Sequence, residues 1–265
     1  MCSTAQKFGR ISSERAPNTW RRRSVRTGTT KQPRDLERAL ASLWIAFQPI
    51  VRAADGATFG YEALVRTREP AVPTPAALLA LAERLGRMAE LGRAIRRCSL
   101  AAARAHEGQF SLFMNLHPYE LLDEELLSDI GASGLAERMV LEITERASLA
   151  AVPDLPEKLR ELRRLGCRIA IDDLGAGYSG LSSFVELAPD IVKIDMSLVR
   201  DAHQSPVKQH VIRALTEMCK TMGLSVVAEG IESREERDVV VALGCDLLQG
   251  FHFGRPNAAF SPLRT

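Results

Sequence analysis

The sequence predicts an α/β fold, a modified TIM-type (β/α)8 barrel in which an opening hairpin makes one strand antiparallel. Three observations support this prediction. Eight short strand patterns occur within about 230 residues, and most of them alternate with helical patterns. The strands are apolar on both faces, which is typical of a sheet that helices cover. Glycine closes several helical patterns, as at Gly166, Gly223 and Gly244, and glycine favours the left-handed cap of a helix.

The first elements form the hairpin. An amphipathic helix at 36–44 leads into a strand at 45–51, and the turn residues 53–56 separate it from a strand at 58–66, so the two strands are predicted to pair. Apolar runs predict six further strands at 110–116, 139–144, 168–173, 191–195, 224–230 and 247–251. Helices are predicted at 75–106 with a break near Leu91–Gly92, and at 118–129, 154–165, 179–187, 205–222 and 233–243. An open doubly wound sheet is the alternative, but no G-x-G-x-x-G motif follows the first strand.

The bulk composition limits the class of protein. The 265 residues are 46% hydrophobic, enough for one large core or two small domains. No apolar run reaches the roughly 18 residues that a bilayer span needs, and no secretory leader is evident, so we expect a cytoplasmic protein without a membrane span. Cys98, Cys167, Cys219 and Cys245 stand among apolar residues without a C-x-x-C pair, which indicates small core residues rather than a zinc site.

The N-terminal segment differs from the rest in charge. Residues 1–34 contain nine Lys or Arg and one acid, a net charge of +8, which leaves −6 for residues 35–265. The segment is rich in Ser and Thr and nearly free of large apolar residues, so we expect a disordered tail before a domain at 35–265. The alternative is an electrostatic contact with nucleic acid, anionic lipid or a partner.

Polar residues stand near the carboxyl ends of seven predicted strands. They are Glu62, Asn115, Glu142, Asp172 with Asp173, Lys193, Glu229 and Gln249. In a (β/α)8 barrel these ends converge on one face, where active sites lie. A single carboxylate at a strand end is most often a helix cap or a surface ion pair, so the prediction depends on the whole set.

The five carboxylates of this set would repel one another in one pocket, and a single lysine offsets little of that repulsion. Oxygen ligands without Cys or His favour Mg²⁺ or Mn²⁺ over Zn²⁺. The number of carboxylates indicates two ions, with Asp172 and Asp173 bridging them or divided between them. Two such ions are typical of enzymes that hydrolyse phosphate esters with an activated water.

Eight segments at these positions resemble, in the right order, the EAL family of cyclic di-GMP phosphodiesterases. They are FQPIV at 47–51, YEALVR at 61–66, MNLHP at 114–118, LEITE at 141–145, IDDLGAGYSGL at 171–181, VKID at 192–195, AEGIES at 228–233 and LQGFHFGRP at 248–256. The likeness covers about 36–257. The resemblance implies an enzyme of bacterial signalling that opens cyclic di-GMP to linear 5′-pGpG.

The resemblance also implies a role for each matching residue. Glu62, Asn115, Glu142 and Asp172 would hold one Mg²⁺ or Mn²⁺ ion, and Asp172, Asp173 and Glu229 the other. Lys193, Glu229 and Gln249 would be catalytic, with Lys193 and Gln249 orienting the water, and Glu145 would brace the loop after Asp173. Gln48, Leu64, Arg66 and Asp195 would touch substrate, and Glu232 would support the site from behind. A homodimer formed through the barrel is implied, and binding of duplex nucleic acid is not.

The sequence departs from the family pattern in two places. The loop after Asp173 has Leu174, Ala176 and Gly180 where Phe, Thr and Ser are usual, which predicts a less restrained loop. His117 replaces a usual Ser, either as a tolerated rim residue or as a substrate contact. His252 and Phe253 are expected near a guanine base, although Phe253 could equally pack the barrel. The altered loop supports one alternative function: a weak or inactive domain that serves as a cyclic di-GMP receptor or interaction module. A third hypothesis is a phosphodiesterase that acts on a different nucleotide.

Overall fold

Eight strands close into one barrel in the computed structural model, which describes residues 31–144, 149, 152–175 and 180–260. The strands follow one another around the barrel in chain order. They are β1 Trp44–Arg52, β2 Thr58–Arg66, β3 Ser111–Asn115, β4 Met139–Thr144, β5 Arg168–Leu174, β6 Ile191–Ile194, β7 Ser225–Ala228 and β8 Leu247–Gln249. The predicted fold class is therefore confirmed.

The first strand runs against the rest of the barrel. β1 pairs antiparallel with β2, with Gln48 opposite Glu62, and antiparallel with β8, with Ile50 opposite Gln249. All other neighbouring strands pair in parallel. The hairpin predicted from the short turn at 53–56 is confirmed, and β1 is its reversed strand.

Helices cover the outside of the barrel. Their bounds are α1 Lys31–Ala41, α2 Pro75–Arg84, α3 Met88–Arg104, α4 Glu125–Gly131, α5 Leu155–Arg164, α6 Gly180–Leu187, α7 Met196–Val199, α8 Pro206–Thr221 and α9 Arg234–Ala242. Short 3-10 turns occur at Pro118–Leu122, Ala136–Arg138 and Ala202–Gln204. The largest apolar cluster lies between the barrel wall and these helices, and a smaller one packs α1, α2 and α3 together.

The helix break predicted near Leu91–Gly92 is wrong. The chain breaks instead at 85–87, because Gly86 takes a left-handed conformation with φ +66° and ends α2. Gly92 lies inside α3, where a Cβ would overlap the carboxylate of Glu120. The glycine there permits a close approach between elements and does not end the helix.

Two further expectations meet a different outcome. Cys167, Cys219 and Cys245 are buried as expected, but Cys98 is exposed because Arg96 and Ser99 take the inward positions of α3. The helix α1 begins at Lys31, so it includes the last four residues of the basic segment, while residues 1–30 lie outside the described part.

In the described residues, no helix is both long and apolar enough to span a bilayer.

The barrel interior changes character along its axis. Apolar side chains fill its amino-terminal half, among them Ile50, Phe113, Val140 and Val227. Polar side chains from the same strands, such as Glu62, Glu142 and Lys193, occupy the half near the carboxyl ends of the parallel strands. Because each strand alternates its side chains, the inward positions deliver these groups to a single buried space.

Candidate active site

Each of the eight polar residues predicted at the strand ends lies at this face of the barrel. Glu62 is on β2, Asn115 ends β3, Glu142 is on β4, Asp172 and Asp173 are on β5, Lys193 is on β6, Glu229 follows β7 and Gln249 ends β8. Most are deeply buried: Glu142 and Lys193 are 1% exposed, Gln249 4%, Glu62 7% and Asp172 9%. Such burial of charge is costly unless the groups compensate one another.

Lys193 holds the centre of this cluster. Its Nζ lies 2.6 Å from Glu142 Oε1, 2.6 Å from Glu229 Oε1, 3.0 Å from Asp172 Oδ1 and 3.5 Å from Glu62 Oε2. One ammonium thus faces four carboxylates, three on the strands β2, β4 and β5 and one on the residue that follows β7. The central group carries a single positive charge against four acids, so the described site has an excess of negative charge.

Two amide side chains join the carboxylates. Asn115 donates from Nδ2 to Glu62 Oε1 and to Glu142 Oε2, each at 3.2 Å. Gln249 donates from Nε2 to Glu62 Oε2 at 2.6 Å and to Gln48 Oε1 at 3.3 Å. Glu62 therefore receives both amides, which fixes its carboxylate plane toward the centre of the site.

The crowding of acids in a buried site raises the pKa values of several of its groups. Burial raises the pKa of Glu142 well above its usual range, and the neighbouring Glu62 raises it further. Burial also raises the pKa of Glu229 to about 8, although Lys193 opposes that shift. Burial alone would lower the pKa of Lys193, but the four carboxylates outweigh burial and hold it well above its ordinary value. The lysine is thus charged, and the acids around it lack enough positive charge.

Asp172 and Asp173 reach the same site although they are adjacent on a strand. Successive side chains of a regular strand point to opposite faces. Here the β5–β6 register shifts between Ile171 and Leu174, and Asp173 takes a left-handed conformation with φ +58°. The irregularity turns Asp173 back toward Asp172, at a backbone cost typical of functional positions.

The arrangement fits divalent cations. Asp172, Asp173 and Glu229 each offer an oxygen, and these oxygens lie within 4.8 Å of one another. Glu142 Oε1 and Asp172 Oδ1 are buried and share the single ammonium of Lys193, at 2.6 and 3.0 Å, with Glu62 and Glu229. Carboxylate oxygens in a buried, mainly oxygen-lined site are the ligands that Mg²⁺ and Mn²⁺ prefer.

Two cavities open beside the cluster. One has a volume of about 250 Å³ and is lined by Gln48, Leu64 and Asp195 among others. The other, of about 330 Å³, is lined by Leu64, Arg66 and His117 among others. All four residues expected to touch substrate therefore line a cavity. Asp195 also caps α7, accepting the Ser197 N–H at 2.9 Å, so a structural role accompanies any contact it makes.

The segment after β8 places a different aromatic ring at the site from the one expected. Phe251, 45% exposed, lines the first cavity, and the Arg255 guanidinium lies 4.2 Å from its ring centre. Phe253 instead packs against the main apolar cluster, and the His252 ring lies against it at 5.0 Å. Phe253 therefore takes the second of its two predicted positions, packed against the barrel, and His252 lines neither cavity, because the turn after β8 directs Phe251 to the site.

Sequence reasoning missed a buried charge network that supports the segment after Asn115. Glu120 accepts the backbone N–H of His117 at 3.0 Å and the Arg96 guanidinium at 2.7 Å. Arg96, 3% exposed, also contacts Asp123 at 2.8 Å and Asp129 at 3.2 Å. The H-P-x-E sequence at 117–120, a capping pattern, is the signal that could have indicated the first of these contacts.

Three other expectations can be located. Glu232 lines the first cavity and accepts two hydrogen bonds from Arg200, at 2.6 and 2.8 Å. Leu174 is buried in the main cluster, and its carbonyl accepts the Asp195 N–H at 3.1 Å. Glu145 and the loop residues 176–179 lie outside the described residues.

The chain is similar in sequence to bacterial signalling proteins. The chain is 36% identical over 235 residues to a Caulobacter vibrioides protein described as an uncharacterized signaling protein, covering 84% of this chain and 29% of that one. It is 34% identical over 221 residues to the cyclic di-GMP phosphodiesterase RocR of Pseudomonas aeruginosa, covering 79% of this chain and 56% of RocR. The chain thus spans roughly a third to a half of these relatives.

A solved structure supports the same assignment. The Klebsiella pneumoniae protein BlrP1, in a manganese and cyclic di-GMP complex, superimposes with a TM-score of 0.75 at 32% identity, over 84% of this chain and 58% of BlrP1. The same protein is also described in a calcium and cyclic di-GMP complex. The EAL domain family matches residues 33–256, nearly the whole described chain. The chain therefore belongs to the EAL domain family.

Proposed function

We propose that the chain hydrolyses cyclic di-GMP to linear 5′-pGpG with the help of two divalent cations, Mg²⁺ or Mn²⁺. The observation that carries this proposal is the set of acids around Lys193, which contains more negative charge than the described residues compensate. Relatives named as cyclic di-GMP phosphodiesterases and the manganese complex of BlrP1 support the choice of substrate and ion.

The ligands divide into two groups. Glu62, Asn115, Glu142 and Asp172 would hold one cation, and Asp172, Asp173 and Glu229 the other. Asn115 donates its Nδ2 hydrogens to Glu62 and Glu142, so its Oδ1 is the atom that would face a cation. When bound, the cations would supply positive charge that polarises the phosphate and makes a water molecule more acidic.

The remaining groups would bind and orient the reactants. Gln249 Oε1 is buried and has no hydrogen-bond partner among the described residues, so it can accept a hydrogen from the attacking water. The buried Lys193 ammonium and the Gln249 amide both contact Glu62 Oε2, at 3.5 and 2.6 Å, so the ammonium would be a donor to that water or to the phosphate. The water oxygen adds to phosphorus and gives up one proton, the P–O3′ bond breaks, and the leaving O3′ takes up a proton, so that one water is consumed.

Arg66 is placed to bind a phosphate. Its Nη1 donates to the neighbouring carbonyl of Val65 at 2.8 Å, which orients the guanidinium and leaves its other donors for the cavity that it lines. Gln48 and Leu64 line the cavity on the other side of Glu62. An extended dinucleotide would thus cross the carboxylate cluster with one base in each cavity.

The test is product formation by purified protein. Cyclic di-GMP is incubated with Mg²⁺ or Mn²⁺ and the products are separated by chromatography, for the wild type, Asp173→Asn and Glu217→Gln. Asparagine tolerates the left-handed backbone of position 173 but removes a ligand charge, so we expect turnover to fall at least about a hundredfold, equivalent to ~2.7 kcal/mol of lost stabilisation. Glu217 is exposed on α8, and its variant should match the wild type.

The same assay separates the alternatives. Binding of cyclic di-GMP by the wild type with no linear product in either metal would contradict the proposal and favour a receptor. Near-normal turnover by Asp173→Asn would contradict the proposed ligand set. The loop at 176–179 is the feature that could weaken activity without removing any of the six proposed ligands.

We also propose that the protein is cytoplasmic and, as the resemblance implies, a homodimer formed through the barrel; the basic segment predicted at 1–34 would precede the barrel domain, with its last four residues in α1. Val185 on α6 and Val207 on α8 are 85% and 73% exposed, so a contact with a second copy at either helix would remove an apolar side chain from water. Light scattering after size exclusion gives the mass of the full chain, and a monomer at micromolar concentration would contradict the dimer.

A further inference from the structure

The larger of the two cavities beside the carboxylates is mainly apolar. Pro75 and Leu79 of α2, Ile95 of α3 and Leu116 line it, and its volume of about 330 Å³ is within the range of small-molecule sites, about 300–1,000 Å³. Glu62, Asn115 and Glu142 form its inner end. An apolar slot that leads to a phosphate-cleaving centre is suited to a flat aromatic group.

His117 is the ring that brings a neutral polar group to this slot. The residue is held from two sides. Its backbone N–H donates to Glu120 at 3.0 Å, and its Nδ1 accepts the Tyr119 backbone N–H at 3.3 Å. Glu120 is fixed in turn by Arg96 at 2.7 Å. The imidazole is therefore positioned before any ligand arrives.

The hydrogen bond at Nδ1 settles which nitrogen carries the proton. Because Nδ1 accepts a backbone N–H, it has no hydrogen, and the neutral ring carries its hydrogen on Nε2. Among the described residues, no hydrogen-bond partner engages Nε2. The ring thus adds a donor without a partner among the described residues to a mainly apolar cavity, which Arg66 and the carboxylate cluster also line.

We infer that His117 selects the base of the substrate by donating its Nε2 hydrogen to the O6 carbonyl of one guanine. This inference rests on the proposed function. Guanine presents O6 and N7 as acceptors, whereas adenine replaces the O6 acceptor by an amino donor. A fixed N–H donor therefore accepts guanine and opposes adenine, since an adenine amino group would leave two donors facing each other.

The test compares His117→Ser with the wild type on cyclic di-GMP and on the analogue with two adenines. Serine keeps an oxygen that can accept the Tyr119 N–H but is too short to reach into the cavity. We expect KM for cyclic di-GMP to rise about fivefold to tenfold, the range for one lost hydrogen bond, with kcat within about twofold. KM for the adenine analogue should not rise, so the preference for guanine falls by the same factor.

Two further variants control the result. His210→Ser changes an exposed histidine of α8 and should leave both substrates unaffected. His117→Asn keeps an acceptor for Tyr119 and restores an amide donor, so it should recover part of the preference. If His117→Ser is unstable, His117→Asn against His117→Asp makes the same comparison between a donor and no donor.

An unchanged KM in His117→Ser, or an equal rise for both substrates, overturns the inference while leaving the proposed function intact. If the wild type forms no product, the proposed function fails. In that case calorimetric binding of cyclic di-GMP in Ca²⁺ still tests His117. Equal affinity of the wild type and His117→Ser for cyclic di-GMP would then refute the contact.

Discussion

Replacing Lys193 by methionine would separate the charge of the site from its shape. Methionine is unbranched and of similar length, so it fills the same space without the ammonium. The Lys193 Nζ lies within 3.0 Å of Glu142, Glu229 and Asp172, and 3.5 Å from Glu62. The variant would leave four buried or half-buried carboxylates with no positive group of the protein at their centre.

Lys193→Met is expected to lose several kcal/mol of its free energy of unfolding. Removing one partner of a buried ion pair destabilises proteins by about 3–5 kcal/mol. We expect about 3 kcal/mol here, because the pKa values of Glu142 and Glu229 are already raised and these acids can take up protons when the ammonium is lost. A bound cation would replace much of the missing charge, since a ligand at 100 times its Kd stabilises by about 2.7 kcal/mol.

Urea unfolding in EDTA and in Mg²⁺ measures both effects. We expect Lys193→Met to lose about 3 kcal/mol in EDTA and to gain more from Mg²⁺ than the wild type gains, while cyclic di-GMP turnover is lost. Lys220→Met, which alters an exposed lysine of α8, is the matched control and should change little. A Lys193→Met variant as stable as the wild type in EDTA would refute the electrostatic account of the site.

Two further predictions concern the choice of ion and Glu120, a buried acid that lines the cavity beside His117. Ca²⁺ should bind and compete with Mg²⁺ yet support less than about a tenth of the turnover, because it is larger and tolerates loose coordination; robust turnover in Ca²⁺ alone would contradict this. Burial raises the pKa of Glu120 to about 7, so the stability it contributes is full below about pH 4.5 and is lost as pH rises through 7. The free energy of unfolding in EDTA should therefore rise by up to about 3 kcal/mol more in the wild type than in Glu120→Gln when the pH is lowered from 8 to 5. A difference between the two proteins that does not change with pH would contradict this and show that Arg96 keeps Glu120 ionised.

Much of the barrel could be predicted from the sequence because the strands carry their own signal. β2 and β4 have the predicted bounds, and β1, with its antiparallel pairing to β2, follows from the turn at 53–56. Apolar runs ended by acids locate both the strand and its carboxyl end. The positions of Glu62, Glu142 and Lys193 on β2, β4 and β6 therefore follow from the same strand patterns.

Features that depend on contacts between distant segments were not predictable. Gly92 looked like a helix break, because its reason for being glycine is the carboxylate of Glu120, 28 residues away in the chain. Cys98 looked apolar by its neighbours, but Arg96 faces inward to meet three acids. Such pairings have no local pattern.

The backbone irregularity at Asp173 could not be predicted from the sequence either. Two adjacent acids on a strand should diverge, and only the shifted register and the positive φ bring both to one site. Phe251 and Phe253 show the same limit, since the turn after β8 decides which ring enters the cavity.

The most direct test of the account measures bound Mn²⁺ and product formation in the same titration. Metal is first removed with EDTA and then restored in steps, while free Mn²⁺ is followed by electron paramagnetic resonance and 5′-pGpG by chromatography. The account predicts no turnover without metal. Turnover should rise as two Mn²⁺ sites per chain are filled, and Asp173→Asn should show no such rise in turnover. Full turnover of cyclic di-GMP in excess EDTA would contradict it.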